Sequence, residues 1–416
     1  MRSAYALILV LLCSVVSGCS AGGRGGATAG APAWPTGLRG HLLAIGGGLD
    51  DDNRHVYERL VTLARDAARA RNDGANLSPT IVIATAASGD QDANIRGKTQ
   101  AIRAYCPDCI IGAIRRETPE AETVAAIDAA DAMFFTGGDQ KRITDRYLRR
   151  PPEGSPPGSR AIDTPEAAAM RRLLARGGVI AGTSAGDAMM SDPMFLTGRS
   201  AEALGIRSTR RERGSDDDED DKRPEPPLGP QIGQGMGFVP GVIMDSHFFE
   251  RHRFGRLVAA IEASGLRTGL GVGEDACVEI NLATGEAIGV SVAETLVVDA
   301  SGQTRASPGG LVRTGVRTRV LRQGDRVSLA RPVSFVSPRP AADGSRAADP
   351  FQPPEEIALV EPGQNRQLAS WRFFRRAEEA PCILRLDGYA QIARPDADRP
   401  GWASVTIGPA EGPMAH

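Results

Sequence analysis

Histidine is scarce in this sequence. Five occur in 416 residues, so chemistry that needs an imidazole has few possible sources. Aromatic residues make up only 5%, and 49 Lys and Arg nearly balance 51 Asp and Glu. A near-neutral chain with few rings has neither the basic footprint nor the stacking platforms of a nucleic-acid binder, so no such partner is expected. Cysteine is sparse as well, six in all, too few for a disulfide scaffold at this length. Cys106-Pro107-Asp108-Cys109 has C-x-x-C spacing, but it follows a helical pattern instead of opening one. The helix dipole that lowers a redox thiol pKa is therefore missing, and a local disulfide is the expected use. No second C-x-x-C stands by for zinc, and no metal or cofactor is expected. G-x-G-x-x-G is absent too: Gly46-Gly47-Gly48 runs into Asp50-Asp51-Asp52, whose charge would repel a phosphate.

The first residues look like an export signal. Arg2 precedes an apolar stretch, Ala4 to Val16, too short to span a bilayer. Val16-Ser17-Gly18-Cys19 resembles a bacterial lipobox, which would make Cys19 the lipidated residue and attach the chain to a membrane; a plain secretory signal with Cys19 incidental is the alternative. Either way an exported protein is expected. Residues 20–38, rich in Gly, Ala and Pro, read as a tether. From 39 onward apolar runs alternate with helical patterns: strands at His41–Ile45, Thr80–Ala86, Asp108–Ile114, Ala132–Thr136 and Val179–Ala181, and helices at Arg54–Ala70, Ala93–Tyr105, after Thr118-Pro119-Glu120 and after Thr164-Pro165-Glu166. Such alternation predicts an α/β fold, a mostly parallel sheet with helices on both faces. One domain is expected over 39–330, interrupted at 210–230 by an acidic block around Asp216–Asp221, with strand hairpins over 285–330 and a small β-rich C-terminal extension, partly disordered, over 331–416.

Gly182-Thr183-Ser184-Ala185-Gly186 is a G-x-S-x-G pattern at the end of an apolar strand and before a run of small residues, the setting of a nucleophile elbow. The Gly46–Gly48 and Gly137-Gly138 turns fall at the carboxyl ends of their strands too, where open α/β sheets bind ligands. A serine needs a base, most often histidine. His416 is terminal, His41 precedes a strand, and His55 and His252 fall on helical segments; His247, after the apolar run to Asp245, is best placed. Asp245 and Glu274 are both candidates to orient it, and spacing alone does not choose.

Taken in order, Gly46-Gly47-Gly48, Phe135-Thr136-Gly137-Gly138-Asp139-Gln140, Gly182–Gly186, Asp245-Ser246-His247-Phe248, the arginines 251, 253 and 256, and Gly273-Glu274-Asp275 resemble the cyanophycinases, within the peptidase E-like serine exopeptidases of class I glutamine amidotransferase-like fold. The resemblance covers roughly residues 40–330. It implies a triad of Ser184, His247 and Glu274, an oxyanion hole from the backbone N–H groups of Ala185 and Gly138, and substrate contacts from Gln140, Asp245, Arg251, Arg253 and Arg256. The implied substrate is cyanophycin, a poly-aspartate carrying arginine on each β-carboxyl, released as β-aspartyl-arginine. Arginine forks suit such a carboxylate-rich chain. Two positions depart from the family pattern: Ser246, where glutamine is common, and Asp187, where a small residue is usual. An isoaspartyl or aspartyl dipeptidase, or a catalytically silent surface binding protein of the same fold, are the alternative functions. The oligomeric state is not given by the sequence; a homodimer is one option.

Overall fold

Five apolar runs of the N-terminal half become the parallel strands of a central sheet. In this computed structural model, which describes residues 37–72, 78–156, 158–206, 227–307, 310–330, 333–335, 353–359, 366–386 and 388–410, their order is His41–Ile45, Val179–Thr183, Ala132–Phe135, Thr80–Ala84, Ile110–Ile114. Alternate side chains divide between two cores, as the pleat requires. Leu43, Ile45, Ile81, Ile83, Phe134 and Ala181 pack with helix Arg54–Arg71 through Tyr57, Leu60 and Ala64, and with helix Gln91–Tyr105 through Ile102. Leu42, Val82, Met133, Phe135 and Ile180 meet helices Glu120–Ala129 and Pro165–Ala175 through Ile127, Met170 and Leu173 on the other face. The expected α/β architecture is present.

The two helix starts marked by Thr-Pro-Glu behave differently. Thr164 caps its helix, its hydroxyl accepting from the Ala167 N–H at 3.3 Å with Pro165 in the first turn. Thr118 turns back instead and accepts from the Arg115 N–H at 2.9 Å, leaving Pro119 at the cap position.

The apolar stretch 269–280 holds parts of two strands. Thr268–Val272 and Cys277–Asn281 enter different sheets, and Glu274 lies on the link between them. Cys277–Asn281 pairs antiparallel with His41–Ile45 and extends the central sheet through Glu286–Gly289, Arg326–Ser328 and Ser334–Phe335. Thr268–Val272 pairs with Val242–Asp245 in a second sheet that continues through Thr295–Asp299 and Gly310–Leu321. Ala403–Pro409, Tyr389–Pro395, Cys382–Leu386 and Glu355–Leu359 then follow in that sheet. Hydrogen bonding thus crosses residue 330, where the sequence suggested a boundary. The β-rich C-terminal part completes a sheet begun at Val242, because the long strand Gly310–Leu321 needs a partner on both edges.

Cys106 and Cys109 are bonded to each other, with Cα atoms 5.3 Å apart, and Cys277 and Cys382 are buried thiols. The leader, Cys19, most of the tether and residues 207–226, which include most of the acidic block, lie outside the described residues. Among the described residues no helix is long and apolar enough to cross a membrane.

Candidate active site

The G-x-S-x-G stretch is shaped by close packing. Ser184 leaves strand Val179–Thr183 at φ 55° and ψ −104°, a region that non-glycine residues enter at a cost of about 1–3 kcal/mol. The turn is so sharp that a Cβ on Gly182 would lie 2.3 Å from the Gly186 carbonyl oxygen, and one on Gly186 would lie 2.8 Å from the Phe135 Cβ. Both glycines are therefore steric requirements of the elbow. The short helix Ala185–Ala188 starts immediately after it, so the Ala185 N–H belongs to a first turn whose donors lack helical acceptors. The Gly137-Gly138 turn comes alongside: a Cβ on Gly137 would sit 3.4 Å from the Ser184 Cβ.

His247 arrives from the other sheet. It follows strand Val242–Asp245 in a left-handed conformation, φ 45°, and its backbone N–H donates to the Gly46 carbonyl at 2.6 Å. Its Nε2 lies 2.7 Å from Ser184 Oγ, and its Nδ1 lies 2.6 Å from Glu274 Oε1. With the Nδ1 proton donated to the carboxylate, Nε2 is left to accept from the serine hydroxyl. Of the two orienting candidates the structure brings up Glu274. Burial pushes the His247 pKa down, the Glu274 hydrogen bond opposes this, and the charges of Arg251 and Arg253 add to the depression.

Three residues that support this geometry were not singled out as site residues from the sequence. Gly47 has φ 103°, and a Cβ there would lie 2.4 Å from His247 Nε2, so only glycine leaves room for the ring. Gly47→Ala is expected to lower turnover by at least about 10²-fold through displacement of the imidazole, and to lose about 1 kcal/mol or more of stability because alanine is strained at a positive φ; an unchanged kcat in that variant would show that the ring need not sit there. Asp275 donates its N–H to the Gly47 carbonyl at 2.8 Å and accepts from Asn53 Nδ2 at 2.7 Å, while Asn53 caps helix Arg54–Arg71 by accepting from the Val56 N–H at 3.2 Å. The helix start, the glycine turn and the Glu274 loop are thereby one network. An Asn before a helical pattern is a legible cap; its reach to a residue 222 positions away is not.

The expected substrate contacts divide. Arg251 is exposed and close enough to His247 to influence its charge. Arg253 is nearly buried; it donates to the Ser246 carbonyl at 2.7 Å and pairs with Asp245 at 3.3 Å, and burial brings its pKa down to about 10. Asp245 and Arg256 are buried and turned toward each other. Arg256 grips Asp245 with Nε at 2.8 Å and Nη2 at 2.5 Å and donates a third bond to the Gly198 carbonyl at 2.7 Å, with both side chains buried. The reason is positional: Asp245 ends a strand whose residues are all buried, and Arg256 lies on the buried face of helix Phe254–Ser264. Gln140 spends its amide donors on the Phe195 and Leu196 carbonyls, at 2.8 and 2.9 Å, and so holds strand Met194–Thr197 in place.

Asp187 lies beneath the elbow with no accessible surface, and neither carboxyl oxygen has a hydrogen-bond partner among the described residues. Burial raises its pKa well above the usual range, neighbouring Asp245 adds to this, and Arg253 opposes it. The folded chain keeps this proton, whereas the unfolded chain releases it near pH 4. Raising the pH above that point therefore favours unfolding until the folded pKa is reached. Asp187→Ala is expected to be more stable than the parent by about 1–3 kcal/mol at neutral pH, with a smaller advantage at pH 5. Urea denaturation at both pH values checks the sign.

No family profile matches the chain. Among curated proteins, it is 32% identical to a cyanophycinase of Nostoc over 165 residues, 39% of this chain and 43% of that one. It is 26% identical to a cyanophycinase of Synechococcus elongatus over 246 residues (58% and 63%), and 28% identical to that of Geminocystis herdmanii over 244 residues (58% and 74%). The chain thus spans less than half the length of the Nostoc relative. Among solved structures, a peptidase from an acI-B1 actinobacterium has a TM-score of 0.44 at 17% identity, covering 70% of this chain and 97% of that one. A putative peptidase E from Listeria monocytogenes has a TM-score of 0.35 at 11% identity, covering 61% and 100%. A glycine-flanked serine, a histidine from a second sheet and a glutamate on the link between sheets thus meet in a chain that is similar, over part of its length, to curated cyanophycinases.

Proposed function

We propose that this protein is a serine-type exopeptidase that hydrolyses cyanophycin to β-aspartyl-arginine dipeptides. The observation that carries the reading is the relay from Ser184 Oγ through His247 to Glu274, with contacts of 2.7 and 2.6 Å. In this reading Ser184 Oγ attacks the scissile carbonyl carbon as its proton passes to His247 Nε2. The negative oxygen that results is held by the N–H groups of Ala185 and Gly138. His247 returns the proton to the leaving amine, the C–N bond breaks, and an ester to Ser184 remains. Water then adds to that ester, gives its proton to the same nitrogen, and Ser184 leaves as the alcohol. Glu274 stays ionised and stabilises the imidazolium in both halves. Arg251 supplies the cation that receives a substrate carboxylate, and Cys19 carries a lipid anchor on an exported protein.

Incubation with cyanophycin followed by the mass of the soluble products tests the substrate. A second reading, an aspartyl or isoaspartyl dipeptidase, is favoured by Ser246, a short side chain buried beside the base. Cleavage of aspartyl dipeptides with cyanophycin left intact would select it. A silent binding protein would leave Ser184 unlabelled by a serine-reactive fluorophosphonate.

The base must be neutral to accept a proton, and its pKa lies below the ordinary value of about 6.5. The acid limb of kcat/KM is therefore expected to turn below that pH, activity rising as pH increases through it. Arg251→Gln removes one of the depressing charges and should move the inflection upward while raising KM. An inflection that stays in place would separate Arg251 from the base.

A further inference from the structure

Helix Arg366–Ala377 lies beyond residue 330, outside the stretch that resembles the cyanophycinases, yet it packs behind both loops that carry the relay. Near its start Gln367 Nε2 donates to Glu250 Oε1 at 3.0 Å, three residues after His247. Two turns later the Phe374 ring lies 6.2 Å from that of Phe249 and 5.0 Å from that of Phe254. Gln367 and Phe374 are seven apart, so one face of the helix makes both contacts. Beside Phe374, Arg375 reaches the buried carboxylate of Glu294, with Nε 3.0 and 3.1 Å from its two oxygens. The guanidinium also stacks 3.7 Å over the ring of Trp371, one turn back, which fixes the fork.

Each of these contacts ends against a neighbour of Glu274. The Glu294 carbonyl accepts from the N–H of Gly273, the residue before Glu274, at 3.3 Å. A Cβ on Gly273 would lie 2.9 Å from Phe249 Cδ2 and 3.0 Å from that carbonyl oxygen, so Gly273 is clamped between the two. Burial pushes the Glu250 pKa up; the Glu274 N–H opposes this and the Glu274 charge adds to it, so the two carboxyls are neighbours. We propose that helix Arg366–Ala377 positions the relay, with Arg375, Phe374 and Gln367 as positioning residues that hold the Glu274 loop against the His247 segment. Arg375 fixes Glu294 and through its backbone Gly273. Phe374 backs the ring of Phe249, the other wall of the clamp. Gln367 anchors the Glu250 carboxyl, whose Oε2 is buried without a hydrogen-bond partner among the described residues. The need for such a brace is physical: Glu274 lies on a link between two sheets, outside either ladder, and a misplacement of about 1 Å can cost about 10²-fold in rate. The inference rests on the reading of Ser184, His247 and Glu274 as a catalytic relay.

Arg375→Gln and Gln367→Ala in the full chain test it. Arg322 remains 3.3 Å from Glu294 in the first variant, so the buried carboxylate keeps a cation, and Gln367 is exposed, so the second leaves the core intact. The effect is read by the rate at which a fluorophosphonate labels Ser184 and by an NMR titration of the His247 ring. Burial lowers the His247 pKa and the Glu274 hydrogen bond raises it, so a loosened Glu274 should move the titration to lower pH, toward that of Glu274→Gln. Labelling should slow at least about tenfold in Arg375→Gln and about fivefold in Gln367→Ala, and Arg375→Lys, which keeps the charge, should recover part of the rate. Either variant added to Glu274→Gln should cost nothing further, because the brace acts through that carboxylate. A helix that serves only the fold would lower the denaturation midpoint and leave the His247 titration in place. An unmoved titration in the folded variants, or losses that add in full to that of Glu274→Gln, overturns the proposal. Should Arg375→Gln fail to fold, Gln367→Ala decides alone. A parent whose Ser184 is not labelled removes the catalytic reading instead, and the His247 titration still shows whether the helix holds Glu274.

Discussion

Ser184→Ala should lower hydrolysis by about 10⁴–10⁶-fold, the scale on which serine enzymes lose rate when the nucleophile is removed. The expectation rests on geometry. Oγ lies 2.7 Å from a histidine whose far nitrogen is held by Glu274, so loss of the hydroxyl removes the only atom that this relay activates. Substrate affinity should change little, because Arg251, the proposed carboxylate contact, is left in place. Glu274→Gln should cost less, about 10²–10⁴-fold, because the serine and the base remain but the imidazolium loses its counter-charge. Stability separates the serine variants further. At φ 55° an alanine keeps the backbone strain and a glycine relieves it, so Ser184→Gly should be more stable than Ser184→Ala by about 1 kcal/mol. Equal activity of parent and Ser184→Ala would remove the elbow from the chemistry and leave its strain without a catalytic purpose.

Arg256→Met should destabilise the fold by about 3–5 kcal/mol, the usual consequence of stripping one partner from a buried ion pair. Asp245 is 1% exposed and Arg256 4%, so water cannot replace the lost guanidinium. Arg253 alone would hold the carboxylate, through one contact at 3.3 Å. Because Asp245 is two residues before His247, the loss should reach the base as well, and kcat should fall along with the denaturation midpoint. Adding Asp245→Asn to Arg256→Met should recover part of the stability, since the unpaired charge is then gone. A single variant within 0.5 kcal/mol of the parent, on the scale of ordinary surface changes, would show that the pair contributes nothing net.

Much of the site was legible because its elements are local. G-x-S-x-G after an apolar strand is a short-range pattern, and its glycines answer to contacts within one turn and the adjacent strand, as Gly182 against Gly186 shows. The scarcity of histidine left His247 by elimination. The five parallel strands were legible for the same reason: each is a short apolar run bounded by turns, and their helices carry periodic faces such as Tyr57, Leu60 and Ala64. The roles of Asp245 and Arg256 were not legible. A carboxylate two residues before His247 and an arginine five residues after Arg251 look alike in sequence whether they face a ligand or each other. Burial decides, and burial depends on which helix face meets which strand.

The sequence by itself determined the α/β alternation and the glycine-flanked serine turn, because hydrophobic period and turn chemistry act over a few residues. Only the tertiary structure decided that residues 268–281 divide between two sheets, that the C-terminal strands complete the second of them, and that Asp245 is held by Arg256. Those outcomes depend on strand pairing between segments far apart in the chain, where the contact is set by packing of whole faces and no local pattern records it.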